Sequence, residues 1–440
     1  MKIIIAGAGE VGFHLAKLLS FESQDITLID TYKESLAYAD NHLDIRVLKG
    51  DATSVSVLKD AKVEKSDLVI GVTSSETTNI TLCILAKQLG CKRTIARISN
   101  TEFIQNKEQL NFTELGIDEL ISPEELAAAE IQLLLNQSAF SDTYEFEEGK
   151  LIMIGVSLPK SAPFVGKMVK EAARIFPELH FMPIALQRKG TQYTIIPRGD
   201  TEFQYGDHVY FITTKEGVDE LLKLSGKENT AIKNVMIHGG SRLGYKAARD
   251  LCGKKFNVKL IEKNKERAIE LADDLPDALV INADGRNVEV LEEESLDEMD
   301  AFISVTGNSE TNIMSCLVAK SKNIKKTIAL VENMDYFQLS HTIGIDSLIN
   351  KKLLAANNIF KHIRRGEVVA MTRLNNLNAE ILEFVVKPTS AVNGKIIKKL
   401  NFPREATIGG VIRNEEGIIA LGDFEITEGD RVVVCCLPQA

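Results

Sequence analysis

The chain opens with a glycine-rich stretch, Ile3-Ile4-Ile5-Ala6-Gly7-Ala8-Gly9-Glu10-Val11-Gly12, and a second version, Val235-Met236-Ile237-His238-Gly239-Gly240-Ser241-Arg242-Leu243-Gly244, follows 232 residues later. In each copy an apolar run that predicts a strand leads into the glycines, and a carboxylate, Asp30 or Glu262, lies 18 residues beyond the last of them. A glycine-rich loop alone is weak evidence, but the loop and the carboxylate together indicate a dinucleotide-binding fold. Because both recur at one offset, the sequence predicts two such folds in tandem.

Composition favours an ordinary water-soluble protein. Of the 440 residues, 44% are hydrophobic and 26% are charged, and the net charge of −10 argues against a nucleic-acid partner because phosphate binding needs a basic surface. The cysteines have no CxxC spacing and the histidines no paired spacing, so no metal site is predicted. No apolar run approaches the ~18 residues of a membrane span, and no signal peptide precedes the first strand. We therefore expect a cytoplasmic protein.

The pattern along the chain predicts an α/β architecture of alternating units. Short apolar runs alternate with helical periodicity in two regions, which is typical of doubly wound, Rossmann-like parallel sheets. A small β-rich α+β block follows each region, with one helix predicted in each block, at Val165–Ile175 and at Val392–Leu400. The predicted segments are 1–122, a connecting helix at 123–140, 141–226, 232–350, a second connecting helix at 351–367, and 368–440.

The first glycine loop has the residues that a nucleotide's phosphates and ribose require. Gly7 permits the tight turn after the strand, Gly9 lets the backbone approach a pyrophosphate, and Gly12 lets the helix pack on the strand. The phosphates would then meet free N–H groups at the positive end of the next helix. Asp30 is placed to accept hydrogen bonds from the ribose hydroxyls, and its charge would repel a 2′-phosphate. The sequence therefore favours NAD(H) or an adenine mononucleotide over NADP(H).

Further polar residues follow the later strands of the first region, and the second region differs from it. Gly50-Asp51-Ala52-Thr53 and Val72-Thr73-Ser74 follow the third and fourth predicted strands, and Arg97, which ends the fifth, could neutralise a phosphate. The second region echoes the first of these motifs as Ala283-Asp284-Gly285. However, Ser241 replaces the middle glycine, and Leu330 stands where Arg97 stood. The second copy is therefore either a weaker or altered site or a purely structural repeat.

The sequence lacks the residues expected of an enzyme. Hydride transfer needs a proton donor or acceptor beside the nicotinamide, and the inserted blocks contain no conspicuous His, Lys or Tyr arrangement for that task. The motifs GxSxG, GxxxxGK[ST] and HExxH are also absent. We predict no catalytic residue. An NAD-dependent oxidoreductase with unrecognised catalytic residues stays an alternative, as does a scaffold that binds no nucleotide.

The combination of these motifs resembles one known family. Gly50-Asp51-Ala52-Thr53, Val72-Thr73-Ser74 and the helix from Asn79 to Lys87 are similar to regulator-of-potassium-conductance (RCK, or KTN) proteins, as is the repeated order of an N-terminal and a C-terminal domain. The resemblance implies a regulatory subunit at the cytoplasmic face of an integral-membrane Trk-type potassium channel or transporter. It further implies a homo-oligomeric ring of RCK domains that changes shape when NAD(H), or ATP or ADP, binds.

By position, the resemblance implies two sets of nucleotide-binding residues. The first set comprises Gly7, Ala8, Gly9, Glu10, Val11, Asp30, Asp51, Ala52, Thr73, Ser74 and Arg97. The second set comprises Gly239, Gly240, Ser241, Arg242, Leu243, Glu262, Asp284, Thr306 and Gly307.

Overall fold

The structure is a computed structural model with two compact units. It describes residues 1–20, 24–100, 102–106, 109–136, 142–175, 180–191, 193–226, 231–333, 336, 344–363, 368–373, 379–437 and 439–440. The first unit comprises Met1–Ala129 and Asn350–Ile363, and the second comprises Glu130–Ile349 and Arg364–Ala440. Within the described residues, no helix is both long enough and apolar enough to cross a membrane.

The N-terminal region alternates strands and helices. Its strands are β1 (Lys2–Ala6), β2 (Asp25–Asp30), β3 (Arg46–Lys49), β4 (Leu68–Gly71), β5 (Arg93–Arg97) and β6 (Glu119–Ile121). Its helices are α1 (Glu10–Ser20), α2 (Lys33–His42), α3 (Val55–Asp60), α4 (Glu76–Gln88), α5 (Glu102–Gln105) and α6 (Pro123–Asn136). The strands pair in parallel in the order β3-β2-β1-β4-β5-β6, which is the order of a dinucleotide-binding sheet.

A β-rich block follows. It contains β7 (Asp142–Phe146), β8 (Leu151–Ser157), α7 (Val169–Ile175), β9 (Phe181–Gln187), β10 (Thr194–Ile195), β11 (His208–Thr213) and α8 (Val218–Leu224). The strands pair antiparallel in the order β10-β9-β11-β8-β7. Every residue of β11 is buried, which fits its place at the centre of that sheet.

The second α/β region repeats the first. Its strands are β12 (Asn234–His238), β13 (Asn257–Glu262), β14 (Ala278–Asn282), β15 (Ala301–Ser304), β16 (Lys326–Leu330) and β17 (Ser347–Ile349). Its helices are α9 (Arg242–Gly253), α10 (Lys265–Asp274), α11 (Val288–Glu293) and α12 (Ser309–Ser321). The parallel order β14-β13-β12-β15-β16-β17 matches the first sheet strand for strand. Helix α13 (Lys351–Ile363) comes next in the chain, and it belongs to the first unit, where it packs on α1.

The chain ends in a second β-rich block. Its strands are β18 (Val368–Arg373), β19 (Glu380–Val385), β20 (Lys395–Ile396), β21 (Ala406–Arg413), β22 (Glu416–Ile418), β23 (Glu425–Ile426) and β24 (Arg431–Cys436). Short 3₁₀ turns lie at Val63–Lys65, Glu147–Gly149, Leu296–Glu298 and Ile397–Lys399. The main sheet has the order β18-β19-β24-β21-β22, and β20 pairs with β23.

The two β-rich blocks share one hydrophobic core. Buried side chains of the first block, such as Tyr210 and Ile212, cluster with Ile381 and Val433 of the second. A Cβ at Gly409 would lie 2.7 Å from Cγ1 of Ile212, so the two sheets approach too closely there for any larger residue. The Nη2 of Arg198 also donates to three carbonyl oxygens of the second block, at 2.9–3.0 Å. The blocks therefore form one packed body within the second unit.

The predicted α/β class and the Rossmann-like sheets are confirmed, while the helices predicted in the β-rich blocks need correction. No helix covers Val392–Leu400, where β20 and a 3₁₀ turn occur instead, and α7 begins only at Val169 rather than at Val165. In both segments a glycine has a left-handed backbone, Gly394 at φ +71° and Gly166 at φ +80°, which a right-handed helix cannot contain. The ends of both predicted connecting helices, 137–140 and 364–367, lie outside the described residues.

Candidate functional site

A cavity of about 450 Å³ opens at the carboxyl ends of the strands in the first sheet. Nearly all residues of the first predicted set line it: Gly7, Gly9, Glu10, Val11, Asp30, Asp51, Ala52, Thr73, Ser74 and Arg97. Ala8 is not among the lining residues, but its backbone N–H donates to Oδ2 of Asp30 at 2.5 Å. The structure thus brings together residues that are up to 90 positions apart in sequence.

The glycines of the first loop are explained by close backbone packing. Gly7 has φ +109°, and a Cβ there would lie 2.8 Å from the backbone nitrogen of Thr73. A Cβ at Gly12 would overlap the carbonyl oxygen of Gly7. In contrast, a Cβ at Gly9 would meet nothing within 4 Å, so Gly9 borders open space at the cavity. The loop therefore leaves room for a group beside Gly9, at the start of α1.

Asp30 is fixed at the end of β2 by two backbone donors. Its Oδ2 accepts the hydrogen bond from Ala8, and its Oδ1 accepts one from the N–H of Tyr32 at 2.9 Å. An ionised carboxylate has about four acceptor sites, so two bonds leave it able to accept more. Asp30 can therefore orient the glycine loop and still accept hydrogen bonds from ribose hydroxyls.

A second carboxylate lines the cavity at the end of β3. Oδ1 of Asp51 accepts from the backbone N–H and from the hydroxyl of Thr53, both at 2.8 Å. These hydrogen bonds, the backbone one first, lower the pKa of Asp51 below its ordinary value. Asp51 is therefore ionised at neutral pH, which suits an acceptor of hydrogen bonds.

A buried amide on α4 joins the ends of β4 and β5. Oδ1 of Asn79 accepts from the N–H and the hydroxyl of Thr73, and its Nδ2 donates to the carbonyl oxygens of Thr73 and Arg97. Asn79 is fully buried, so its loss would leave several backbone groups without partners. Asn79 positions two residues of the predicted site, and the sequence pattern did not reveal that role.

Arg97 has the clearest unsatisfied polar group at this cavity. Arg97 lines the cavity, and its Nε is buried without a hydrogen-bond partner. A buried unpaired donor is costly, and a phosphate or carboxylate would satisfy a guanidinium in a charge-assisted bond. The glycine loop, the carboxylate of Asp30 and the unsatisfied Arg97 together fit an anionic nucleotide.

A cavity of about 390 Å³ occupies the equivalent place in the second sheet. Most of the second predicted set lines it: Gly239, Gly240, Ser241, Glu262, Asp284, Thr306 and Gly307. Arg242 and Leu243 are not among the lining residues. The frame of the first cavity recurs here, because Oε2 of Glu262 accepts from the N–H of Gly240 at 2.7 Å, as Asp30 does from Ala8. Asn312 likewise joins the ends of β15 and β16 through Thr306 and Leu330.

Ser241 and Leu330 change the second cavity at the two predicted places. The hydroxyl of Ser241 caps α9 by accepting from the N–H of Gly244 at 3.2 Å, and it donates to the carbonyl oxygen of Val305 at 2.8 Å. It therefore occupies space that is open beside Gly9 in the first repeat. Leu330 is buried and does not line the cavity, so the second site lacks the cation that Arg97 supplies to the first.

Two cations that the sequence reasoning missed line the second cavity. Lys263 follows Glu262 at the end of β13, and Arg286 lies beyond β14. Nη2 of Arg286 pairs with Oδ2 of Asp284 at 2.6 Å, and this bond is the main reason that the pKa of Asp284 is lowered. Each cation comes directly after, or two residues after, a predicted acidic residue, which is the local signal that could have revealed them.

A buried histidine lies beside the second glycine loop. His238 takes the place of Ala6, and its Nδ1 lies 3.2 Å from the hydroxyl oxygen of Ser304. Gly285 faces the ring, since a Cβ there would lie 2.7 Å from Nε2 of His238. Burial is the main cause that lowers the pKa of His238 below its ordinary value of 6.5. The imidazole is therefore neutral at pH 7.

Other reactive residues have structural explanations. Cys83 is fully buried, and burial raises its pKa to about 12, so it is a poor nucleophile. The buried carboxylate of Asp207 pairs with Nη1 of Arg188 at 2.5 Å. In the part of the chain that the structure describes, no cluster of three or more His, Cys, Asp or Glu residues is arranged to hold a metal ion.

The fold and its cavities define a class of protein: tandem α/β domains with glycine-loop cavities, each followed by a small β-rich domain. The sequence matches the family model of the TrkA-N domain at residues 3–123 and 235–351. It matches the TrkA-C domain at residues 153–226 and 381–440. The chain belongs to the TrkA family.

Full-length relatives and a solved structure agree with this assignment. The Trk system potassium uptake protein TrkA of Vibrio alginolyticus is 32% identical, over 99% of this chain and 95% of its own length. The protein of that name from Haemophilus influenzae is 33% identical, over the same shares of both chains. A solved structure described as the GsuK channel bound to NAD has the same fold. Its TM-score is 0.60 at 17% identity, covering 100% of this chain and 77% of that one.

Proposed function

We propose that this protein is a nucleotide-sensing regulatory subunit of a Trk-type potassium uptake system. One observation supports the sensing role above all others: the buried Nε of Arg97 has no partner and belongs to a cavity that also contains a glycine loop and Asp30. An anionic nucleotide would supply a phosphate to Arg97 and the glycine loop and ribose hydroxyls to Asp30. The potassium role is supported by the names of full-length relatives, which are potassium uptake proteins.

The nucleotide of the first site is NAD(H), with ATP or ADP as the competing ligand class. Asp30 favours a free 2′-hydroxyl over a 2′-phosphate because two anions would repel each other. The residues proposed to bind it are those of the first predicted set, with the phosphates at the backbone of Gly7–Val11 and at the side chain of Arg97, and the ribose at Asp30. The NAD named for the GsuK channel, which shares this fold, supports the same ligand class.

The second site is proposed to bind a nucleotide with lower affinity or different preference. Its predicted set keeps Glu262 on the glycine loop, but Ser241 fills space near the phosphates and Leu330 replaces the arginine. The cations Lys263 and Arg286 lie instead beside the carboxylates, where the adenosine ribose would bind.

Potassium uptake would be regulated because the nucleotide binds one conformation of a ring of these chains more tightly than another. A nucleotide shifts an assembly only if it binds one conformation better than another, and couplings of ~1–3 kcal/mol are typical. The ring would consist of copies of this chain at the inner face of the membrane, against an integral-membrane Trk-type channel subunit. We propose that each copy is divided into the six segments predicted from the sequence, from 1–122 to 368–440.

The protein is proposed to act without catalysis. The pKa values of Asp51 and Asp284 are lowered, so these carboxylates are poor proton donors at neutral pH. The neutral ring of His238 is buried against Ser304 and Gly285. An oxidoreductase would need a proton donor beside the nicotinamide. Consumption of NADH with any member of a panel of small carbonyl compounds would contradict this part of the proposal.

The decisive experiment is calorimetric titration of NADH and of ATP onto the purified chain, with sites counted per chain. Asp30→Ala should weaken the tighter site at least tenfold, because a charge-assisted hydrogen bond contributes ~1.5–3 kcal/mol. Glu262→Ala is the matched control, since it changes the equivalent carboxylate of the other repeat and should leave the tighter site intact. Thermal unfolding of both variants checks that they fold.

The regulatory role is tested with the same variants in a reconstituted Trk-type membrane subunit. Potassium flux should respond to nucleotide with the wild-type chain and lose most of that response with Asp30→Ala. Unchanged nucleotide affinity in Asp30→Ala would reject the site. No binding of either nucleotide by the wild-type chain would favour a scaffold.

A further inference from the structure

One residue that lines the first cavity comes from a distant part of the chain. Lys352 lies at the start of α13, which follows β17 of the second repeat in sequence but belongs to the first unit. α13 packs on α1, the helix that begins at the glycine loop, and this packing brings Lys352 to the cavity. Lys352 and Arg97 are the basic side chains among the described residues that line it.

Lys352 is paired with an acidic residue of the glycine loop. Its Nζ lies 2.7 Å from Oε2 of Glu10, the first residue of α1. The side chain of Lys352 is 25% exposed and that of Glu10 is 67% exposed, so the lysine is held by its surroundings while the glutamate extends into solvent. The carboxylate of Glu10 thus places a negative charge at the positive end of a helix, where a phosphate would also be favoured.

This arrangement poses an electrostatic problem for an anionic ligand. A nucleotide phosphate at the start of α1 would be repelled by Glu10, and a nearby cation such as Lys352 would offset that repulsion. The ammonium group of lysine has three donors on a flexible stem, so Lys352 can turn from one oxygen anion to another. Glu10 has open solvent on its other side and can withdraw.

We propose that Lys352 is a phosphate-binding residue of the first nucleotide site, and that on binding it exchanges the carboxylate of Glu10 for a phosphate of the nucleotide. This inference rests on the proposed nucleotide-sensing function and names a residue outside both predicted sets. Glu10 acts as a competitor for the same cation, so it limits the affinity of the site. The nucleotide then contacts a helix that is joined to β17 through a single residue, Asn350.

Calorimetry with ADP and with adenosine tests the assignment in four variants: Lys352→Gln, Glu10→Gln, the double variant, and Lys351→Gln. Lys352→Gln should weaken ADP binding at the first site about tenfold and leave adenosine binding unchanged, since adenosine has no phosphate. Glu10→Gln should strengthen ADP binding. Lys351→Gln is the matched control, because Lys351 lies 3.8 Å from Glu124 and does not line the cavity.

The double variant separates a direct contact from mere neutralisation of Glu10. If Lys352 contacts the phosphate, Glu10→Gln with Lys352→Gln should bind ADP about tenfold more weakly than Glu10→Gln alone. Equal affinity of these two proteins would overturn the inference. Lys352→Arg keeps the positive charge and should restore most of the affinity, and thermal unfolding of each variant checks that it folds.

The outcomes also distinguish the two proposals. A wild-type chain that binds neither ADP nor NADH would reject the nucleotide-sensing function and this inference with it. If the wild-type chain binds ADP but Glu10→Gln and the double variant bind it with equal affinity, the inference alone would be rejected.

Discussion

The two cavities have the same backbone frame, but the cations near their strand ends lie on opposite sides of the central strand. In the first repeat Arg97 ends β5, whereas in the second Lys263 and Arg286 follow β13 and β14. In the sheet order, β5 lies on one side of the central strand β1, and β13 and β14 lie on the other side of its counterpart β12. Because phosphates bind near cations, we expect the repeats to bind different ligands or different parts of one ligand.

The shared frame consists of side-chain hydrogen bonds to the backbone. In both repeats a carboxylate at the end of the second strand accepts from the glycine loop, at Ala8 in one and Gly240 in the other. A buried asparagine, Asn79 or Asn312, joins the fourth and fifth strands in both. The comparison shows that the fold maintains the frame, and we expect ligand preference to depend on a few exposed or half-buried side chains.

The largest expected effect comes from replacing Arg97 of the first cavity by the leucine found at the equivalent position of the second repeat. Arg97→Leu should weaken nucleotide binding at the first site at least tenfold, because it removes a charge-assisted contact of ~1.5–3 kcal/mol. The fold should tolerate the change, since Leu330 occupies this place in the second repeat with the same asparagine bond to its carbonyl oxygen. Calorimetry and thermal unfolding measure the two effects separately.

The reciprocal variant Leu330→Arg tests whether adding the arginine has the opposite effect from removing it. It should strengthen binding at the second site and leave the first site unchanged. If Arg97→Leu binds NADH and ATP as tightly as the wild-type chain, the unpaired guanidinium is not part of the site and the comparison fails.

A medium effect, on stability, is expected where His238 and Gly285 take the places of two alanines of the first repeat. Gly285→Ala should destabilise the second unit by ~1–3 kcal/mol, because the added Cβ would lie 2.7 Å from Nε2 of His238 in a packed interior. Adding His238→Ala should restore much of this loss, since the first repeat has Ala6 and Ala52 in these places. Chemical denaturation measures both changes. A Gly285→Ala variant as stable as the wild-type chain would show that the ring moves aside freely.

The smallest expected effect is a pH dependence confined to the second repeat. The pKa of His238 is lowered in the folded protein, so the unfolded chain takes up the proton first as the pH falls. This contribution to stability is present above about pH 6.5 and is lost as the pH falls below that value toward the folded pKa. The double variant His238→Ala/Gly285→Ala should lose less stability than the wild-type chain between pH 7 and pH 5. Parallel slopes of unfolding temperature against pH would contradict this.

The sequence predicted the glycine loop and the acidic strand end of each cavity because these features are local. Gly7 and Gly12 have fixed places relative to a strand and a helix, and Asp30 follows at the usual spacing, so a short pattern predicts the turn, the helix start and the acidic strand end. Arg97 and Thr73 could be placed because parallel strands end at one edge of a sheet. The proposed ligands of these residues stay predictions.

The rest depended on contacts that no local pattern contains. Lys352 reaches Glu10 across 342 positions through the packing of α13 on α1, and neither segment signals the other. His238 is an unremarkable strand residue until its packing against Gly285 is known. Gly166 and Gly394 fall inside the two helices predicted in the β-rich blocks, but in each case the left-handed backbone required by a turn outweighed helical periodicity.

The shared core of the two β-rich blocks has a consequence for how the protein behaves on dilution. Tyr210 and Ile212 of one block and Val433 of the other are held together by a continuous polypeptide. Their association is therefore a unimolecular reaction, governed by an effective concentration and not by the number of molecules in the cell. A chain of this kind keeps its paired β-rich blocks at the lowest expression level, whereas two separate chains joined by the same surface would dissociate there by mass action.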